Sequence, residues 1–277
     1  MTGTGWADEA TLVLINPIGN DARCWDFIGI PDGHPFEYPG HGSAPRRPGW
    51  THESFCEDLL AAFDGPLDVI GMSMGGTVVA NLLLHHPERI RSAMILCSGS
   101  LTASGYTPER QERRIATYRA RGELSAGGME GVLEDTLSRW FTPWAVRTDQ
   151  PGVRYARETL LRMDPAAWYD VWNCQAISPA LPTEAFREVT QPVTIIGGMH
   201  DFAAGLRGLG EAHELIPRSR YEVMPVSHMA HLEQPEFVRA AIDRHRAWAP
   251  IGQRVEEPIG SAVWLSASDA HRPDRRN

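Results

Sequence analysis

Three residue types, far apart in the chain, have the spacing that nucleophilic catalysis needs: a serine at residue 73, an acid at 201 and a histidine at 228. The serine lies in Gly71-Met72-Ser73-Met74-Gly75-Gly76, after an apolar run at residues 67–70 and before a helix-forming run at 77–84. A strand, a tight turn and a helix in that order lift a hydroxyl above a sheet edge, and glycines two residues either side remove side chains that would collide. A serine hydroxyl is a weak nucleophile until a base takes its proton, and that base needs a group to orient it. For a serine on such a turn, the expected chain order is serine, then aspartate or glutamate, then histidine. Residues 191–197 read as a buried strand that ends in Gly198-Met199-His200-Asp201, so Asp201 follows a strand end. Residues 220–224 read as another strand, and His228 lies on the loop after it. The alternative site for the acid, after the strand at 92–96, offers only Cys97-Ser98-Gly99-Ser100. His231 and His200 compete for the role of base but lie farther from the strand end than His228, or before the acid; His85 and His86 close a helix, where positive charge suits the dipole.

The tetrahedral oxyanion of acyl transfer needs backbone N–H donors aimed at it. Met74, at the start of the helix after Ser73, supplies one. The second is expected from the loop Asn16-Pro17-Ile18-Gly19-Asn20 after the first strand, with Ile18 as the donor by position.

These groups must be positioned by the elements around them. Strands near residues 11–15, 34–38, 67–71, 92–97, 191–197 and 220–225 alternate with helices near 53–63, 77–86, 205–215 and 235–247. That alternation predicts an α/β fold, a mostly parallel central sheet flanked by helices, with reactive groups gathered at the carboxyl ends of the strands. From residue 101 to 188 there is no strand signal, only four helical stretches near 107–121, 129–140, 153–162 and 165–174. The expected organisation is therefore a core from 1–100 and 189–249, a helical cap insertion over 101–188, and a polar, disordered tail over 250–277. Aromatics crowd the second half of the insertion. Most serve packing; Trp140 is the expected pocket residue, with Arg139 beside it able to hold a substrate carboxylate.

The motifs together resemble the α/β-hydrolase superfamily. Pro39-Gly40-His41-Gly42-Ser43 resembles its loop before the second helix, and residues 228–235 resemble its G-H-x-x-x-x-E-x-P run with Ser227 in place of the glycine. Within it, Asn16-Pro17-Ile18-Gly19 with Asp21 and Trp25, Arg139-Trp140-Phe141, and Gly198-Met199-His200-Asp201 are similar to segments of the 3-oxoadipate enol-lactone hydrolases. Pro39 and Phe202-Ala203-Ala204 depart from that subfamily's pattern. The short stretch before residue 11, and the short one between Trp25 and Pro39, predict a sheet without its usual leading hairpin and an abbreviated first helix. The resemblance implies an α/β-hydrolase fold and hydrolysis of a small ester or lactone without a cofactor.

Composition narrows the alternatives. A chain of 277 residues, 42% hydrophobic, can bury one sizeable core plus an insertion. A net charge of −9 argues against nucleic acid as a partner. The longest uncharged run, 69–84, is too short and glycine-broken for a membrane span. Four scattered cysteines read as reduced thiols of a cytoplasmic protein. Cys24 has no base placed for it. No phosphate-binding loop is present, and the His228, His231 and Glu233 spacing is poor for a metal. The expected partner is a small ester or lactone; a homo-oligomer remains open. Carbon–carbon hydrolysis, perhydrolysis or acyl transfer by the same three residues, and a hydrolase fold that only binds ligand, are the competing readings.

Overall fold

The computed structural model describes residues 10–99, 101–102 and 107–252. Their centre is a six-stranded sheet of β1 (Thr11–Ile15), β2 (Gly33–Phe36), β3 (Leu67–Met72), β4 (Ile90–Leu96), β5 (Val193–His200) and β6 (Ser219–Ser227), in the order β2-β1-β3-β4-β5-β6. Every pairing is parallel. Strands buried on both faces are largely apolar, and β1, β3 and β4 are so beyond the polar Asp68, Arg91 and Ser92 near the amino ends of β3 and β4: Val13, Ile15, Leu67, Val69, Met94 and Ile95 are all fully or almost fully buried. The sequence places each strand within three residues of its observed ends. The connection between β1 and β2 holds only the 3-10 turn Ala22–Trp25, as expected from the short spacing, whereas the stretch before residue 10, where the leading hairpin would lie, is outside the described residues.

The chain runs from β1 outward to β2, then returns to the other side of β1 as β3. Neighbouring strands β1 and β3 therefore send their connections to opposite sides, with Ile15 paired to Gly71 near their carboxyl ends. A crevice opens where connections diverge like this. Helices α1 (His52–Ala62) and α2 (Met74–His85) follow β2 and β3. Thr51 starts α1 with a reciprocal cap: its hydroxyl accepts from the Ser54 N–H, and the Ser54 hydroxyl accepts from the Thr51 N–H.

Between β4 and β5 the described chain is helical: α3 (Pro108–Glu123), α4 (Glu130–Trp140), α5 (Pro143–Arg147), α6 (Pro151–Arg162) and α7 (Pro165–Ile177). Proline opens α3, α5, α6 and α7 at the first turn, where a missing N–H costs nothing. After β5 come α8 (Leu206–Leu215), then β6, α9 (Ala230–Glu233) and α10 (Pro235–Trp248). The sequence does not signal α5 or α9, which are too short to show a period. The helical insertion is tied to the sheet end: the Met229 N–H donates to the Trp140 carbonyl at 3.0 Å, and Glu233 accepts from the Thr142 N–H at 3.0 Å. Most of the expected tail, residues 253–277, lies outside the described residues. No helix among the described residues is long and apolar enough to cross a membrane.

Candidate active site

Ser73 is the hinge between β3 and α2, and its backbone is strained: φ 56°, ψ −116°, left-handed for a residue with a Cβ. The glycines around it act through their missing Cβ atoms, since Gly71, Gly75 and Gly76 are not among the residues of positive φ. A Cβ on Gly71 would strike the Gly75 carbonyl, one on Gly75 the Ile15 carbonyl, and one on Gly76 would stand 2.8 Å from the Ser98 Cβ. Neighbours hold the strained turn. The Ser73 N–H donates to the Leu96 carbonyl at 2.8 Å, and the Ser98 hydroxyl donates to the Ser73 carbonyl at 2.8 Å.

The Ser73 Oγ lies 2.8 Å from His228 Nε2, and His228 Nδ1 lies 2.9 Å from Asp201 Oδ2 and 3.0 Å from Oδ1. The carboxylate is fixed in turn, because Asp201 Oδ1 accepts the N–H groups of Ala203 at 2.8 Å and Ala204 at 2.7 Å. The His228 and Asp201 side chains are buried. A carboxylate on Nδ1 keeps the proton there and leaves the Nε2 lone pair facing the serine hydroxyl. Such an arrangement can take a proton from oxygen while the imidazolium is held by a negative charge. The sequence thus brings together three groups separated by up to 155 positions, each within one residue of a strand end.

The competing residues stand outside this hydrogen-bonded chain. His231 is fully buried in α9, with its ring 5.4 Å from that of Trp25 and neither nitrogen hydrogen-bonded among the described residues. Burial, reinforced by His228, pushes its pKa down to about 3. Glu233 is turned toward Thr142, so the three residues weighed as metal ligands face different partners. Cys97, at the alternative acid position, is buried, and burial pushes its thiol well above the usual range. Cys24 is likewise buried, with its thiol pushed up chiefly by burial.

Ile18 and Met74 both line the cavity that contains Ser73 and His228. As the first residue of α2, Met74 has an N–H that a helix leaves without an internal acceptor. The Ile18 N–H also has no acceptor among the described residues. The cavity has about 80 Å³ of free space and is walled on the far side by the helices inserted between β4 and β5. Trp140 is 3% exposed and lines it, as expected. Arg139 lines it too, but its guanidinium already donates to Asp135 Oδ2 through Nε at 3.0 Å and Nη2 at 2.8 Å. The expected carboxylate-binding role therefore falls to a cation already paired within its own helix.

Two cavity residues were missed from the sequence. Arg121 lies over the Trp172 ring at 5.1 Å, and its guanidinium has neither a carboxylate nor a hydrogen-bond acceptor among the described residues. Burial lowers its pKa, and the Arg139 charge lowers it further. Arg114 is spent on structure, donating to the carbonyls of Gln175 at 3.0 Å and Ser178 at 2.8 Å. No aspartate or glutamate is among the described residues that line the cavity. One signal could have found this face: Arg114, Tyr118 and Arg121 fall at i, i+4 and i+7 of one predicted helix, a single stripe.

Comparison with known proteins agrees with the fold. Residues 12–241 match the model of a family described as the alpha/beta hydrolase family. A 3-oxoadipate enol-lactonase of Acinetobacter baylyi is 23% identical over 250 residues, covering 86% of this chain and 89% of that protein. Among solved structures, an enol-lactonase from Burkholderia xenovorans superposes with a TM-score of 0.73 at 21% identity, over 87% of this chain and 92% of that one. A thermophilic esterase from Thermogutta terrifontis gives 0.75 at 20% identity, over 87% and 90%.

Proposed function

The chain belongs to the alpha/beta hydrolase family, and from that premise we propose that it is a cofactor-free serine hydrolase of small carboxylic esters or lactones, with Ser73, His228 and Asp201 as its catalytic triad. The observation that carries the reading is the continuous hydrogen-bonded chain from Ser73 Oγ through the imidazole to Asp201, at 2.8 and 2.9 Å. As Ser73 Oγ attacks the carbonyl carbon, His228 Nε2 takes its proton. Asp201 holds the Nδ1–H tautomer and stabilises the imidazolium. The N–H groups of Met74 and Ile18 receive the oxyanion. His228 then protonates the departing alcohol oxygen, which in a lactone stays attached to the acyl chain. Water, deprotonated by the same imidazole, releases the acid.

The cavity favours a substrate that also carries a negative charge. Arg121, which has no ion-pair or hydrogen-bond partner among the described residues, is stacked on Trp172 and partly shielded from water, where an attraction to an anion is screened less than at the surface. A carboxylate on the acyl side would meet this cation, with Trp140 packing against the apolar body between. The similarity to enol-lactonases supports the same substrate type.

A fluorophosphonate probe tests the first claim: the wild type should be modified at Ser73, and Ser73→Ala should lose on the order of 10⁴-fold or more in turnover of p-nitrophenyl acetate. A folded wild type that neither labels nor turns over would reject the enzyme in favour of a ligand-binding protein. A panel of enol-lactones, neutral esters and vinylogous diketones then ranks ester against carbon–carbon hydrolysis.

A further inference from the structure

The loop that carries Ile18 is held by a residue to which no role has so far been given. His41, in the loop after β2, is 2% exposed. Its Nε2 lies 3.0 Å from the Gly19 backbone nitrogen. An N–H can only donate, so this nitrogen must carry the lone pair and the ring proton must sit on Nδ1. The Pro39 carbonyl lies 3.5 Å from Nδ1, on the side where that proton points. Packing fixes the ring: the Tyr38 ring stands edge-on to it at 5.3 Å and 76°. Gly40 beside it adopts φ +79°, and a Cβ there would strike the Cβ of Ala167.

The other end of the same peptide is also held. The Asn20 side-chain amide donates to the Ile18 carbonyl at 3.1 Å, and the Asn16 amide donates to the Asn20 carbonyl at 3.2 Å. The Ile18–Gly19 peptide plane is thus pinned at its N–H by His41 and at its C=O by Asn20. The next peptide toward the N-terminus carries the N–H of Ile18, a residue that lines the cavity. We propose that His41 is a positioning residue of the oxyanion hole, fixing the direction of the Ile18 N–H through its hydrogen bond from Gly19. Burial pushes the His41 pKa down to about 4, so the accepting lone pair remains available across the neutral range. The inference rests on the reading of the site as a serine hydrolase.

A role in aiming the donor differs from a role in folding by what it changes. A misaimed donor weakens only the state in which charge sits on oxygen, so kcat falls while KM holds. His41→Leu keeps the bulk and removes the acceptor; His41→Gln offers an amide oxygen in its place. With p-nitrophenyl acetate, His41→Leu should lose on the order of 10- to 100-fold in kcat, with KM within about threefold. Inhibition by an aryl trifluoromethyl ketone, whose adduct bears the oxyanion, should weaken by the same factor. His41→Gln should recover most of both. A folded His41→Leu with unchanged kcat, or a His41→Gln as impaired as the leucine variant, overturns the proposal. Should His41→Leu fail to fold, Asn20→Ala frees the carbonyl of the same peptide and must show the same split; normal turnover in it also overturns the proposal. A wild type that neither labels at Ser73 nor turns over would instead refute the serine hydrolase itself, which separates the two failures.

Discussion

Lowering the pH from 7 to 4.5 is expected to remove most of the folding stability through four imidazoles. His41, His52, His231 and His245 are buried, with exposures of 5% or less. Burial pushes His41, His52 and His245 down to about 4 and His231 to about 3, from 6.5. In the unfolded chain each returns to about 6.5. Between the two values the unfolded state binds protons that the folded state refuses, so stability rises with pH and is lost on acidification. One such imidazole costs about 2.6 kcal/mol at pH 4.5, and four cost about 10 kcal/mol, against a typical total of about 5–15 kcal/mol. At pH 5.5 the four still cost about 5 kcal/mol. The carboxylates Asp21 and Asp32 lie below 3.8 in the folded state, so their stabilisation is lost only at lower pH and does not overlap this window. Urea unfolding followed by tryptophan fluorescence at pH 7, 6, 5.5 and 5 measures the effect. Near pH 5 the slope should reach about 5 kcal/mol per pH unit. His52 Nε2 has no hydrogen-bond partner among the described residues, so His52→Leu should cut that slope by about a quarter without losing a bond there. A stability that changes by less than about 1 kcal/mol between pH 7 and 5 would refute the assignment of these rings as neutral and desolvated.

Three other substitutions separate the parts of the site. Arg121→Leu should raise KM for a carboxylate-bearing ester by about tenfold or more while leaving a neutral p-nitrophenyl ester within about threefold, because a partly buried charge pair contributes about 1.5–3 kcal/mol; equal effects on both esters would remove the anion subsite. Asp201→Asn keeps an oxygen for the Ala203 and Ala204 N–H groups but presents an amide N–H to His228 Nδ1, which forces the wrong tautomer. Turnover should fall by about 10⁴ with the melting temperature nearly unchanged, and a smaller loss than tenfold would argue against the proposed base. Ser98→Ala removes the donor to the Ser73 carbonyl, which still accepts from the Gly76 N–H at 3.0 Å. It should cost about 1 kcal/mol in urea unfolding and slow fluorophosphonate labelling; labelling at the wild-type rate would show that the turn holds Ser73 without it.

What the sequence made legible was what is local to the backbone. Ser73, Asp201 and His228 each stand beside a strand end, and strand ends are announced by β-branched and apolar runs. A parallel sheet then carries all those ends to one rim, so a one-dimensional order becomes a three-dimensional cluster without further information. The placement of Ile18 and Met74 beside the cavity was readable for the same reason, since each stands at a fixed step from a strand or helix start. The walls of the cavity were not. Arg139 stood out because its neighbours formed a motif, yet Asp135, four residues earlier on the same helix, takes its guanidinium. Arg121 is marked in the sequence only as one of a stripe with Arg114 and Tyr118; it matters because α3 packs against α7 and sets it over Trp172. His41 sat inside a recognised motif whose function is a contact across 22 positions, which no local pattern encodes. The glycine spacing told of the collisions that missing Cβ atoms avoid, but not that Ser73 itself bears the strain of the turn.

That last point links the fold to its chemistry. A left-handed Ser73 costs about 1–3 kcal/mol and persists only if its surroundings leave no alternative. Here the sheet supplies the constraint. Ser73 donates to Leu96 at the end of β4, and Ser98 reaches back to its carbonyl from the same strand end. On the other flank, Gly75 fits because the β1 carbonyl at Ile15 leaves no room for a Cβ. Both neighbours of β3 therefore grip the turn, and both also lead into loops that face the cavity. Since β1 and β3 diverge at the switch point, the loop with Ile18 and the helix with Met74 both line the cavity that holds Ser73. The strained hydroxyl and the loops proposed to hold the oxyanion are carried by the same three strands. The inserted helices wall the cavity but supply none of these contacts that hold the turn.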